Sequence, residues 1–515
     1  MAKTKAFLSA FLIALMISGI AVVGSMHFGA AQSGTNVTGI IGTSTVWTAS
    51  NSPYTLTGNT LVYQGVTLTI QPGVTVNLGS YYIEVNGTLS ARGSPSDKIT
   101  FNGGQITFTS FSNGWNEQTD SGSLIENTNI NQTSINSSNQ LKIDSSNING
   151  QVSVTSSIIS NNIVTSEIYG ANSTISNNVV KGDMTTQVSS TTGAYPTPSE
   201  SSVVSNNIVT GNINIGFFNG LAVSGDSSTV FNNTVNGSIS TISGEGSPEI
   251  YNNTVTNGGI RVAGDGSIFD NIIYGCPDGI SISTPRGFGG DLPCDATVEN
   301  NLIVDNTQGI DIDLASVFGP GTVCPTILNN TISGNSVGIY LSESYYNSTP
   351  TIQNNNLQNN SNYNFDLAAP NSVDVTYNWW GTSDPQAINQ TIYDYKNDFT
   401  LGTVNFVPYL TAPNPQTTPN PNETIPTPAS TPTQSISPFT NQTSTQSPSP
   451  PPATTSSSHS SASPSQNPTA SPQANKASSI QTDLTVTGIA AIVIVAVAIG
   501  AFLLGKRAGQ KIAVS

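Results

Sequence analysis

The stretch Ile250-Tyr251-Asn252-Asn253-Thr254-Val255 contains the pattern on which this chain is built. A pair of asparagines has Ile or Val two positions before its first member and, in nearly every copy, Ile or Val three positions after it. The pair recurs between Ile159 and Asn356, as Asn161-Asn162, Asn177-Asn178, Asn206-Asn207, Asn232-Asn233, Asn252-Asn253, Asn300-Asn301, Asn329-Asn330 and Asn354-Asn355, with Asp270-Asn271 in the same place once. Residue types that recur every few tens of residues predict a solenoid.

Each repeat is predicted to be a run of short strands, because β-branched residues alternate with polar ones. The alternation slips at the asparagine pair, which indicates a corner. Asparagine tolerates left-handed backbone angles, and its amide can bond to the next coil, as in stacked strands. Fixed apolar offsets argue against disordered low complexity. We therefore predict a structural ladder formed by Asn162, Asn178, Asn207, Asn233, Asn253, Asn271, Asn301, Asn330 and Asn355.

The repeat resembles that of right-handed parallel β-helix proteins with pectate-lyase-like coils, and that of periplasmic accessory proteins of copper-enzyme maturation. The resemblance covers about residues 36–410 and implies an all-β fold, a right-handed parallel β-helix solenoid. It implies little about activity, because this fold carries unrelated functions.

The solenoid is predicted to be divided into three parts. Residues 32–120 form an N-terminal cap and the first coils, with Trp47 and the Tyr81-Tyr82 pair packing as the cap. Residues 121–376 form the repeats. Residues 377–410 resemble the closing segment of such proteins, and the Trp379-Trp380 pair is interpreted as covering the last coil rather than as a sugar-binding site.

The two ends of the chain predict export and anchoring. Residues 1–31 have the charged start, apolar run and small residues of a signal peptide, and an uncleaved membrane anchor is the alternative. Residues 411–482 are a Pro/Ser/Thr-rich stalk with almost no apolar side chains, predicted to be disordered. Residues 483–505 are apolar and long enough for one membrane span, and the basic residues in 506–515 predict a cytoplasmic tail. This layout resembles stalked archaeal cell-surface proteins, with an extracellular ectodomain.

Composition limits the partners of the chain. Charged residues make up 8% of it and the formal net charge is −16. Such a surface repels nucleic acid but tolerates cations and neutral polysaccharides. We therefore expect polysaccharide or other surface proteins as partners, and no nucleic acid.

Carboxylates are the strongest candidates for a site. The histidines are His27 in the predicted signal and His459 in the predicted stalk, so the hydrolase pattern of this fold does not carry over. Asp311 and Asp313 alternate with apolar residues and so point outward together. With Asp305 they are a candidate calcium site, because Ca²⁺ takes oxygen ligands. The alternative is a solvated acidic face, and no other cofactor is expected.

The three cysteines predict one disulfide. Cys294 and Cys324 lie at nearly the same place in successive coils, about 4.8 Å apart, a separation that a disulfide permits. We predict a Cys294–Cys324 bond with Cys276 free; a Cys276–Cys294 bond is the alternative.

Many Asn-X-Ser/Thr sequons permit N-glycosylation in an exported protein. The candidates are Asn36, Asn86, Asn131, Asn136, Asn172, Asn236, Asn347, Asn389, Asn422 and Asn441. Those in Asn-Asn-Thr, namely Asn232, Asn252 and Asn329, are expected to be buried in the ladder and unmodified.

The function predicted from the sequence is non-enzymatic: binding, adhesion or envelope structure at the cell surface, with glycan contact. One alternative is a Ca²⁺-dependent polysaccharide lyase centred on Asp311 and Asp313, with Arg261 and Arg286 as nearby cations. The other is an accessory role in copper-enzyme maturation, which is disfavoured because the predicted ectodomain has no His and Met184 as its one Met.

Overall fold

Short strands that stack in parallel make up almost all of the structure, a computed structural model. It describes residues 34–186, 201–216, 227–242, 246–283, 294–313, 324–342 and 349–417. These residues all fall in one compact unit.

The first half of the described chain contains 22 strands and one short 3-10 helix, Ala49–Asn51. The strands are β1 (Thr35–Ile41), β2 (Thr45–Trp47), β3 (Tyr54–Val62), β4 (Thr67–Ile70), β5 (Thr75–Val85), β6 (Thr88–Arg92), β7 (Ile99–Phe108), β8 (Leu124–Glu126), β9 (Thr128–Asn131), β10 (Ser134–Ser137), β11 (Lys142–Asp144), β12 (Asn147–Asn149), β13 (Val152–Thr155), β14 (Ile158–Ser160), β15 (Ile163–Val164), β16 (Ile168–Ala171), β17 (Thr174–Ser176), β18 (Val179–Val180), β19 (Met184–Thr185), β20 (Val203–Ser205), β21 (Ile208–Val209) and β22 (Ile213–Ile215).

The second half of the described chain continues the same stacking and adds one α-helix, α1 (Pro385–Gln390). The strands are β23 (Thr229–Phe231), β24 (Thr234–Ile242), β25 (Glu249–Tyr251), β26 (Thr254–Ala263), β27 (Ser267–Phe269), β28 (Ile272–Tyr274), β29 (Asp278–Ser283), β30 (Thr297–Glu299), β31 (Leu302–Val304), β32 (Gln308–Asp313), β33 (Thr326–Leu328), β34 (Thr331–Ser333), β35 (Val337–Leu341), β36 (Thr351–Gln353), β37 (Asn356–Gln358), β38 (Tyr363–Leu367), β39 (Val373–Asp374), β40 (Ile392–Tyr393) and β41 (Val404–Asn405).

Each strand pairs in parallel with the equivalent strand of the next coil. Among the described residues, one sheet of 14 strands runs from β2 to β36 and forms the first face of the coil. A sheet of 25 strands forms the second and third faces, because long strands such as β24 and β26 pass from one face to the other. The all-β, parallel, helical stacking of coils predicted from the sequence is confirmed by this topology.

The core consists of the apolar residues that point inward from the middle of each strand. On the first face, Ile143, Ile159 and Ile175 stand in register and have no more than 1% of their surface exposed. Burial of such a side chain contributes about 1.5–3 kcal/mol. Because every coil contributes its own residues to this column, the core runs along the whole solenoid.

The largest differences in coil length lie at one corner, and smaller ones occur elsewhere, as where Thr254 pairs with Ile272 but Ile260 pairs with Ile280. Each internal segment outside the described residues follows a strand of the third face, such as β29 or β32, and precedes a strand of the first face. Equivalent corner residues are 16 to 30 positions apart in the sequence, yet the pairing between coils keeps its register.

The C-terminal end is closed by irregular structure. Asp384 caps α1 by accepting a hydrogen bond from the backbone N–H of Gln386 at 2.9 Å. Trp380, with 2% of its surface exposed, makes an edge contact with Phe406 at 6.1 Å between ring centroids. The burial of Trp380 fits its interpretation as a cover for the last coil.

The solenoid ends later than position 410. The backbone N–H of Asn414 donates to Asn356 Oδ1 at 2.8 Å, and Asn356 Nδ2 donates to Thr417 Oγ1 at 2.9 Å. Asn414 and Thr417 are both buried. Residues 411–417 therefore belong to the folded part and not to the predicted stalk, because these side-chain bonds hold them against the last coils.

The N-terminal coil differs from the predicted cap. Trp47 is buried and stacks on Tyr54, with 4.6 Å between ring centroids. Tyr81 and Tyr82 instead have 36% and 39% of their surface exposed, since both follow the irregularity in β5 at Gly79. No helix in the described part of the chain is long and apolar enough to cross a membrane. The predicted signal peptide (1–31), the span (483–505) and the tail (506–515) lie outside the described residues.

Candidate functional site

The asparagine corners form one continuous stack of side-chain amides. Each Nδ2 donates to the Oδ1 of the next coil at 2.9–3.0 Å, from Asn162 through all nine predicted positions to Asn355. The same Oδ1 accepts the backbone N–H of the preceding rung, as between Asn162 and Asn178 at 2.9 Å. Because each amide is fully bonded, these buried polar groups are stabilising.

The stack continues beyond the predicted residues at both ends. Asn355 donates to Asn378 Oδ1 at 3.0 Å, so the predicted C-terminal cap contains a further rung. At the other end the backbone N–H of Ser146 donates to Asn162 Oδ1, and that of Thr128 donates to Ser146 Oγ. Hydroxyl groups therefore replace the amide in the early coils.

The first residue of each pair makes the turn itself. Its φ lies between 53° and 59° from Asn161 to Tyr377, in the left-handed region. This conformation turns the side chain outward, so Asn232 and Asn252 are exposed and Asn329 is half-buried. The expectation that these three asparagines are buried in the ladder is wrong, because the ladder is made by the second member of the pair.

Two further ladders were missed at the sequence level. Asn306 Nδ2 donates to Asn335 Oδ1, and Asn335 Nδ2 donates to Asn360 Oδ1, each at 3.0 Å. The signal for this ladder is its constant offset of five residues from Asn301, Asn330 and Asn355. At the third corner, backbone N–H groups donate to serine Oγ atoms in the next coil, at Ser157, Ser173, Ser202 and Ser228.

The outward side of the third face carries alternating carboxylates and aromatic rings. In register from coil to coil, Asp311 is followed by Tyr340, Asp366 and Tyr393. We call these four residues the Asp–Tyr column. All four side chains are half-buried, and the Tyr393 ring lies 5.2 Å from that of Tyr363 in the neighbouring column.

The electrostatics of the Asp–Tyr column favour protonated groups. Burial raises the pKa of the Asp311 carboxyl to about 6, with smaller contributions from the charges of Asp278 and Asp313. Burial also raises the pKa of Asp366. Burial, together with the nearby Asp366 and Asp311, raises the pKa of Tyr340. The column is therefore a partly desolvated surface on which further negative charge is disfavoured.

The raised pKa of Asp311 makes stability depend on pH. A carboxyl that holds its proton more tightly in the folded chain stabilises the fold at low pH, and this contribution disappears as the pH rises from about 4 to about 6. We expect Asp311→Asn to be more stable than the wild type at pH 7, by about 1 kcal/mol after allowance for solvent screening, and equally stable at pH 3.5. Chemical unfolding at both pH values measures this.

Asp398 provides a control of opposite sign. Hydrogen bonds from the backbone and hydroxyl of Thr400 lower the pKa of this exposed carboxyl. Asp398→Asn should therefore lose stability at neutral pH relative to acid. If the Asp311→Asn and wild-type chains differ equally at both pH values, Asp311 is not the titrating group.

The predicted calcium residues are only partly brought together. Asp311 and Asp313 both lie on β32 and point outward, as expected. Asp305 instead makes the corner before β32, with φ 55° and an exposed side chain. In the described ranges no three Asp, Glu, His or Cys side chains are grouped closely enough to hold a metal. Asp305 thus lies at a corner while Asp311 and Asp313 lie on the strand that follows, and the calcium site itself stays a prediction.

The predicted Cys294–Cys324 disulfide is not formed: all three cysteines are free. The backbone N–H of Cys324 donates to Cys294 O at 3.0 Å, so the two coils do stack here. This bond places Cys324 opposite Asp295, one position out of register. Cys294 consequently points inward, with its Sγ 2.8 Å from Gly264 O, whereas Cys324 is half-exposed.

The structure separates the sequons by exposure. Asn36, Asn131, Asn172, Asn236 and Asn389 are exposed. Asn86 and Asn136 are half-buried, and Asn86 is held by Glu84 and Thr109. Asn347, Asn422 and Asn441 lie outside the described residues. Use of any of these sites remains a prediction.

The fold and the corners define the class of protein: this chain is a parallel β-helix repeat protein. Residues 192–344 match a family model described as a right-handed beta helix region. No curated protein matches the chain. The match covers less than a third of the chain and does not specify binding or catalysis.

Proposed function

We propose that the β-helix is a binding module for neutral polysaccharide, with the Asp–Tyr column as its contact surface. The observation that carries the proposal is the register of Asp311, Tyr340, Asp366 and Tyr393 along the solenoid axis. Tyrosine rings offer an apolar face with a polar tip, and carboxylates accept hydrogen bonds from hydroxyl groups. A linear polymer of hydroxylated rings can use both in every coil.

Charge favours a neutral polymer over an acidic one. The chain carries 29 acidic residues against 13 basic ones, and the side chains around Asp311 include Asp278 and Asp313. A uronate polymer would be repelled by this surface. Calcium held by Asp311 and Asp313 would reduce the repulsion. Binding measured with and without calcium therefore distinguishes a neutral from an acidic ligand.

The expected location is the cell surface. In this proposal residues 1–31 direct export, and residues 483–505 anchor the chain beyond a stalk. Truncation after Gln473 should release the protein into the medium, and retention on salt-washed membranes would contradict the anchor.

The binding test compares Tyr340→Ala with the wild type on neutral and uronate polysaccharides by affinity electrophoresis, with calcium and with a chelator. We expect Tyr340→Ala to weaken binding of the neutral polymer about tenfold or more, about 1.4 kcal/mol. The matched control is Tyr63→Ala, since Tyr63 is 55% exposed but lies in the first coils.

Three results would contradict the proposal: equal binding by both variants, binding of uronates alone, or cleavage. Cleavage of a uronate polymer by elimination leaves an unsaturated product that absorbs ultraviolet light, so the same samples test the lyase alternative directly. Calcium-dependent cleavage that is lost in Asp311→Asn would replace the binding function by catalysis.

A further inference from the structure

The first coil has an open sheet edge. Strand β1 pairs with β3 and, among the described residues, with no other strand, and β2 likewise pairs with β4. At its two ends β1 bonds to β3: Thr35 N–H donates to Pro53 O, and Ile41 O accepts from Tyr63 N–H. Because backbone groups alternate in direction along a strand, those of Asn36, Thr38 and Ile40 turn to the open side.

Among the described residues this edge has few of the features that normally prevent strands from pairing, and its one irregularity lies between Val37 and Gly39. Protecting features are charged side chains, proline or a covering segment. The β1 sequence, Thr-Asn-Val-Thr-Gly-Ile-Ile, contains no charged residue and no proline. Ile40 and Val46 have 69% and 52% of their surface exposed. The edge is thus an apolar template for a further strand.

The surrounding coils are neutral in an otherwise acidic chain. Residues 34–83 contain no Asp, Glu, Lys, Arg or His, and the first charged side chain of the described chain is Glu84. The formal net charge of the whole chain is −16. Two copies would repel each other along most of their length, but not where these coils meet.

The opposite end of the solenoid is not a partner for this edge. It is closed by α1 and by the bonds of Asn414 to the last coils, and it carries charged residues such as Asp394, Lys396 and Asp398. Head-to-tail stacking is therefore blocked. Within the described residues, the structure that matches a neutral, open, apolar edge is the same edge of a second copy.

We propose that two copies of this chain associate end to end through β1, in an isologous two-fold pair. The two β1 strands run antiparallel, as a two-fold axis perpendicular to both strands requires. The open backbone groups of Asn36, Thr38 and Ile40 in one copy bond to those of the other, and Thr38 lies near the axis as the central residue of the strand. The two solenoids then extend in opposite directions from the contact.

A cross-linking experiment tests the contact. Thr38→Cys is introduced into the full chain, which is solubilised in detergent and treated with a short bis-maleimide. Ile208→Cys is the matched control, since Ile208 is 53% exposed on a strand paired on both sides. We expect a cross-linked dimer for Thr38→Cys and none for Ile208→Cys or for the wild type with its native cysteines. An equal yield from the two variants would overturn the proposal.

A charge variant tests the energetics. Ile40→Asp places like charges on both strands, so we expect the dissociation constant of the pair to rise more than about tenfold. Ile208→Asp should leave it unchanged, and sedimentation at several concentrations measures both. An unchanged melting temperature for Ile40→Asp separates loss of pairing from loss of folding. The chain is produced in a host without N-glycosylation, because Asn36 lies on β1.

Two other results overturn the inference. One is a chain that stays monomeric at every concentration. The other concerns the reaction of each thiol with a monofunctional maleimide while the chain is monomeric. It is a slow reaction of Thr38→Cys under conditions in which Ile208→Cys reacts fully. The second result would mean that another segment of the same chain covers β1.

Discussion

Asn301→Ala is expected to destabilise the solenoid by about 3 kcal/mol or more. The Asn301 amide donates to Ile268 O, Glu299 O and Asn330 Oδ1. Its Oδ1 accepts from both the backbone N–H and the Nδ2 of Asn271. Alanine leaves these groups buried without partners on both neighbouring coils, and each such group costs about 1–3 kcal/mol. Chemical unfolding of variant and wild type measures the loss.

Asn300→Gly is the matched control. Asn300 precedes the ladder residue and has φ 56°, a conformation that glycine adopts without strain. We expect this variant to unfold within about 0.5 kcal/mol of the wild type. A stability loss for Asn300→Gly as large as that for Asn301→Ala would place the effect in the turn and not in the ladder.

The second large effect is expected for Gly309→Ala. Gly309 lies at the start of β32, where successive coils approach closely. A Cβ added there would lie 2.5 Å from Gly338 O and 2.8 Å from Ile332 Cγ2. Both contacts are too short to persist, and the backbone oxygen has no freedom to move alone. We expect a loss of about 2–3 kcal/mol, measured in the same unfolding experiment.

Gly42→Ala controls for the loss of glycine itself. A Cβ at Gly42 would have no heavy atom within 4 Å, so the substitution adds no clash. We expect Gly42→Ala to unfold at the same denaturant concentration as the wild type. Gly309→Ala should unfold at a clearly lower concentration. Equal behaviour of the two variants would remove close approach as the reason for the glycine repeated at Gly279, Gly309 and Gly338.

The solenoid could be predicted from the sequence because each coil repeats the same short pattern of residues. In one coil, Ile159 and Val164 are buried in the core and Asn162 forms the corner. The spacing of these three residue types is repeated in later coils, since each has the same physical role. The second ladder at Asn306 was also available in the sequence, as its constant distance from Asn301 indicates. This ladder was missed because the residue before each of its asparagines varies among Gly, Asp and Asn, so no single dipeptide repeats.

The candidate site depended on register, which the sequence defines less well. A shift of one residue reverses the direction of a side chain, and that shift separates Cys324 from Cys294. Asp305 was grouped with Asp311 by proximity in sequence, although a corner lies between them. The Asp–Tyr column joins residues 26 to 29 positions apart in neighbouring coils, at Asp311, Tyr340 and Asp366, with no repeated motif to connect them.

The concentration of the longest connecting segments at one corner has an evolutionary consequence. A coil of 16 residues and one of 30 offer the same amide to their neighbours. Insertions and deletions at that corner therefore leave the asparagine stack unchanged, whereas a deletion of one residue between Asn301 and Asn306 would shift one asparagine ladder against the other. Duplication of a coil can be followed by free divergence of its connecting segment. Selection for new surfaces then acts on one side of the molecule while the stacking stays constant.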